Sequence, residues 1–174
     1  MENEEIDYLQ PTKFWQLETL PQLWAHLSDE VDEFLSAILP IVKKSTMAGR
    51  VYTDEELYEA AMELVDIQVM CNTIAMKIDE LPVKMSELPD RYMNCPLFVD
   101  QIMLLLETKA WASSEARAII RGSQCYSGPL HAALIKTVFA AESVLRRMIY
   151  SEEKLVNVRK LVYEKNKKRG YYEL

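Results

Sequence analysis

Apolar residues recur along this chain at helical spacing, and no stretch alternates apolar with polar as a half-buried strand does. In the first long run, Leu20, Leu23, Trp24, Leu27, Val31, Phe34, Leu35 and Ile38 form one stripe at i, i+3, i+4 and i+7. Thr19 precedes the run as N-cap, and Gln22 completes a T-x-x-Q capping box. Pro40 predicts an end or a kink, with Gly49 in the connection that follows. A second helix opens on the capping box Thr53 to Glu56 and carries Leu57, Ala60, Ala61, Leu64, Cys71, Ile74, Ala75 and Ile78.

Pro82, Pro89 and Pro96 then punctuate an irregular link before a third helix over about 97–121. Gly122, Gly128 and Pro129 separate it from a fourth, striped by Leu130, Leu134, Val138, Ala141, Leu145 and Ile149. Ser151 caps a fifth helix that runs to about Arg169 and stops at Gly170. An arm over 1–18 carries acidic residues and the pair Phe14 and Trp15, and 150–174 forms a basic C-terminal helix and tail. There is no clear internal repeat. The expected fold is a single all-α domain over 1–174, an antiparallel bundle of about five helices.

Composition narrows the chemistry. With 174 residues, 49% of them hydrophobic, the chain can bury one domain's core and is not disordered. Its four glycines leave no GxGxxG and no GxxxxGK[ST], so a nucleotide must be held by other means. Cys71, Cys95 and Cys125 make no CxxC pair, which argues against zinc fingers and a disulfide framework. With no signal peptide apparent, a cytoplasmic location is expected. No apolar run reaches the roughly 18 residues of a membrane span, so no membrane partner is expected. The net charge of −7 argues against a dedicated nucleic-acid binder.

Two motifs stand out from the general acidity. Glu30-Val-Asp-Glu33 is an E-x-x-E, and Glu63-Leu-Val-Asp66 an E-x-x-D. Residues three apart share a helix face, so each motif makes a two-carboxylate face. Glu30 and Glu33 lie roughly 80° and 140° off their apolar stripe, and Glu63 and Asp66 roughly 90° and 150° off theirs, in the same sense. Two antiparallel helices packed stripe to stripe then bring both flanks to one side. Each pair also lies about 10 or 11 residues, some 15 Å, from the hairpin end. Four converging carboxylates without lysines repel, and hard divalent cations relieve them: Mg²⁺, with Mn²⁺ as a substitute. Such a site suits metal-assisted hydrolysis of a phosphoanhydride. His26, one turn before Glu30, stands within reach of it, although a flank histidine is the plainer reading. Glu107, Glu115 and Glu142 lack partners at three-residue spacing and read as surface charges.

The last helix carries Lys165-Asn166-Lys167-Lys168-Arg169, then Gly170-Tyr171-Tyr172. Cations there complement the helix macrodipole, and they also offer donors to phosphate oxygens. Taken with Asp29-Glu30-Val-Asp-Glu33 and Glu63-Leu-Val-Asp66, this ending resembles the all-α nucleotide pyrophosphohydrolases, the superfamily of MazG and the dimeric dUTPases. The resemblance covers about 20–80 and the last helix; 82–150 has no counterpart in it. It implies that Glu30, Glu33, Glu63 and Asp66 ligate Mg²⁺, with Glu33 and Glu30 catalytic, and that Lys165, Asn166 and Arg169 bind substrate. It implies cleavage of a nucleoside triphosphate to a monophosphate and pyrophosphate, in a homodimer or homotetramer. Asp29 stands where the family has its first glutamate, and the gap from Glu33 to Glu63 is longer than in MazG proteins. The alternative is a catalytically silent nucleotide- or protein-binding member of the same fold, or a helical adaptor with a solvated acidic flank.

Overall fold

A computed structural model describes residues 7–48, 54–83, 98–123 and 127–172. Six helices occupy these residues, and no strand occurs among them: α1 (Phe14–Leu17), α2 (Leu20–Ala48), α3 (Asp54–Asp79), α4 (Phe98–Ile120), α5 (Gly128–Met148) and α6 (Glu152–Lys168). The five long helices are those the apolar stripes predict. The sixth is a single turn inside the N-terminal arm. Thr53 of the expected capping box, Gly49, Pro89, Pro96, Cys95 and Cys125 lie outside the described residues.

Local chemistry sets most boundaries. Gln22 Oε1 accepts the Thr19 backbone N–H at 2.9 Å, the returning half of the capping box. Ser151 Oγ caps α6 by accepting from the Lys154 N–H. Gly122 and Gly170 take positive φ (68° and 71°) just past α4 and α6, where a side chain would be strained. Pro40 departs from expectation, because α2 runs through it to Ala48. The ring removes one helical hydrogen bond at Ser36. Ile38 and Ile41 are nonetheless buried on either side, and their burial holds the helix together across the gap.

The α2 stripe buries Leu23, Leu27, Val31, Phe34 and Ile38 against α3. In α3, every residue from Leu64 to Ala75 is buried, because α2, α5, α6 and the arm pack around it. A helix covered all round should be apolar all round. Four polar residues break that rule, and each one grips a neighbouring segment. Asp66 reaches α6, Gln68 reaches α5, and Asn72 and Thr73 hold the arm. Asn72 donates to the Leu9 carbonyl at 2.6 Å and accepts the Val83 N–H at 2.9 Å. Thr73 Oγ1 accepts the Thr12 N–H at 2.9 Å. No helix among the described residues is long and apolar enough to cross a membrane.

Candidate metal centre

The antiparallel pair α2–α3 builds the site. Burial of Val31 and Phe34 turns Glu30 and Glu33 to the flank of α2, while Glu63 precedes the buried run of α3. One carboxylate oxygen from each of Glu30, Glu33 and Glu63 lies within 4.8 Å of the other two. The stripe geometry of the two helices predicts a convergence of four carboxylates; three meet here, and Asp66 is not part of the trio. A cavity of about 410 Å³ opens beside it, lined by Glu33, Ser36 and Pro40 of α2 and by Glu56, Glu59 and Glu63 of α3. From the meeting of Glu33 with Glu63, one helix rises and the other falls in number along the cavity, as an antiparallel pair must.

Burial dominates the electrostatics of the trio, and neighbouring carboxylates add to it. Burial, then Asp66, Glu63 and Glu33, push the Glu30 carboxyl up from 4.5 to about 8, against the pull of Lys165. Burial and Asp66 push Glu63 up to about 6, again opposed by Lys165. Glu63 Oε2 is buried and has no hydrogen-bond partner. Among the described residues, no lysine, arginine or histidine lines the cavity. Hard oxygens, shared negative charge and an orphaned carboxylate oxygen suit a hard divalent cation, so the donor set fits Mg²⁺ or Mn²⁺.

Asp66 sits one turn along α3 from Glu63, and both of its oxygens are engaged by α6. Lys165 Nζ donates to Oδ2 at 2.5 Å and Asn166 Nδ2 to Oδ1 at 2.9 Å. Burial works against the Lys165 ammonium, but Asp66, Glu63 and Glu30 outweigh it and hold its pKa above the ordinary lysine value. The two residues expected to meet substrate therefore meet a carboxylate of the site. Arg169 is exposed at the end of α6, and Asp29 is exposed on α2 outside the trio.

Other expectations change. His26 pairs with Glu18 at 3.2 Å and stacks on Phe14 at 5.9 Å, away from the carboxylates. Tyr171 packs edge-on to Phe14, and Tyr172 stacks on Tyr163, so the tail closes on aromatic rings of the arm and of α6. Glu142 is a correction. Far from being a surface charge, it is fully buried and bound by Arg146, Arg159 and Gln68. Glu115 accepts the Trp111 indole N–H at 3.0 Å, and Glu107 is exposed. Glu59 and Glu56 of the cavity escape the motif search, although their spacing of four and seven residues before Glu63 marks the same helix face.

No family model matches the chain, and comparison with curated proteins and with solved structures finds no match.

Proposed function

We propose that this protein is a Mg²⁺-dependent nucleoside triphosphate pyrophosphohydrolase that releases pyrophosphate and a nucleoside monophosphate. The observation that carries the reading is the convergence of Glu30, Glu33 and Glu63 within 4.8 Å beside a cavity of about 410 Å³. Glu30, Glu33 and Glu63 would hold the metal, with Asp66 the fourth carboxylate of the set. Bound there, Mg²⁺ supplies a Lewis acid for phosphate oxygens and lowers the pKa of water. Glu33, the most exposed of the trio, faces the cavity and is placed to accept a proton from an attacking water. Glu30, the more deeply buried of the two glutamates with raised pKa, fixes the inner side of the site. Self-association to a homodimer or homotetramer, with cations of the basic helix meeting phosphate, belongs to the same proposal.

The test is pyrophosphate release from a panel of ribo- and deoxyribonucleoside triphosphates, with and without Mg²⁺. Metal-dependent release is expected, falling roughly a hundredfold or more in Glu33→Gln and in Asp66→Asn. Helicity by circular dichroism stays unchanged in both variants. Release from no nucleotide would refute the enzyme. A second reading has its own observation: Lys165 and Asn166 are already bound to Asp66 rather than turned toward the cavity. That favours a protein that binds metal or nucleotide without turnover, and tight nucleotide binding with no product would establish it.

A further inference from the structure

Glu142 is the most thoroughly buried carboxylate of the described residues, and it serves none of the chemistry above. On α5, it accepts Arg146 Nε at 2.7 Å from its own helix, Arg159 Nη2 at 2.7 Å from α6, and Gln68 Nε2 at 3.0 Å from α3. Arg146 continues the network to Glu152, the first residue of α6. Three helices therefore share one buried anion. Burial disfavours its charge, yet the two guanidiniums and the Gln68 amide prevail and hold its pKa below the ordinary glutamate value.

A buried ion network of this kind is a poor source of net stability, since well-packed apolar groups often do as well. What it supplies is register, and α6 needs register. The buried side of α6 is Leu155, Val158, Val162 and Asn166, a near-periodic stripe. Moved by one turn along α3, Val158 would take the seat of Leu155 and Val162 that of Val158. The apolar positions alone tell those arrangements apart weakly. One turn is about 5.4 Å, far beyond the reach of a hydrogen bond. Arg159 lies seven residues before Asn166, two turns along the same face. The charge pair at Arg159 thus fixes where Asn166 and Lys165 come to rest.

We infer that Glu142, through Arg159 and Gln68, is a positioning residue for the carboxylate site, seating α6 so that Lys165 and Asn166 meet Asp66. The inference rests on the metal reading only in its Mn²⁺ measurement. The experiment uses the full chain with Arg159→Met, which keeps the length and removes the guanidinium, and Arg159→Lys, which keeps a charge. The readouts are the side-chain amide resonances of Asn166 and the titration of the Lys165 ammonium by nitrogen-15 NMR. In Arg159→Met the Asn166 amide protons should exchange with solvent about five- to tenfold faster, and the Lys165 pKa should fall toward the ordinary lysine value. Arg159→Lys should restore part of both signals. Its intermediate effect serves as the test if Arg159→Met does not fold.

Mn²⁺ affinity then closes a double-mutant cycle. If the network acts through Asn166, the effect of Arg159→Met disappears in an Asn166→Ala background, whereas effects that add would overturn the inference. Folded variants of Arg159 with unchanged Asn166 and Lys165 signals would overturn it as well. A wild-type chain that binds no Mn²⁺ would refute the metal reading and leave the two NMR signals to decide the positioning role.

Discussion

Glu30 is half-buried and Glu142 fully buried, and their surroundings drive the two carboxylates in opposite directions. Burial raises both. Around Glu30 the nearby carboxylates add to it and bring the pKa to about 8, whereas around Glu142 two arginines overcome it. A glutamate whose pKa is raised on folding binds more protons in the native state than in the unfolded chain between about 4.5 and 8. Its contribution to stability is complete below that window and disappears as pH rises through it. The metal-free protein should therefore lose melting temperature from pH 5 to pH 8, and Glu30→Gln should flatten that loss. Thermal unfolding with EDTA, wild type against variant, gives the comparison, and equal slopes would contradict the assignment. Glu30 and Glu33 were legible in the sequence because three-residue spacing on a helix is a local fact, and Glu63 because its apolar stripe faces theirs. Glu142 was not, because Arg159 is 17 residues away and Gln68 is 74, and no local pattern announces such partners.

At the scale of elements, α2 reads plainly and α3 does not. One face of α2 is buried, so its stripe and its acidic flank separate cleanly by period. Helix α3 is covered on every side through Ala75, and Asp66, Gln68, Asn72 and Thr73 blur the pattern while each anchors a neighbour. Which element each anchors depends on the packing of residues 61 to 100 positions away. Pro40 misleads for a related reason: the proline penalty is local, but the burial of Ile38 and Ile41 that offsets it is not. The anchors make a prediction of their own. Asn72→Ala strands the Leu9 carbonyl and the Val83 N–H, at about 1–3 kcal/mol for each buried group left unpaired. Hydrogen exchange should quicken first in the arm, and uniform acceleration across α2 to α6 would count against an anchoring role.

For the molecule as a whole, an excess of seven negative charges leaves cation binding favourable before any site is considered. A site specific for the folded state adds linkage to that general attraction. At a hundred times the dissociation constant, Mn²⁺ should stabilise the fold by about 2.7 kcal/mol. For a chain of this size that is a rise in melting temperature of roughly 5–10 °C. Calorimetry with Mn²⁺ against EDTA should show the rise in the wild type and lose most of it in Glu33→Gln. An equal rise in both would reduce the trio to diffuse surface attraction. The all-helical class was legible from periodicity. The gathering of α2, α5, α6 and the arm around α3 was not, since no stripe says which partner it faces.

The contact between Asp66 and Asn166 joins residues 100 positions apart. Synthesis runs from the N-terminus at about 5–20 residues per second, so the ribosome makes Asp66 roughly 5–20 s before its partner exists. Throughout that interval the nascent α2–α3 hairpin carries four acidic side chains with neither Lys165 nor Asn166 to answer them. A newborn chain must therefore keep those side chains in water, take up protons or borrow cations from the cell until its last helix emerges.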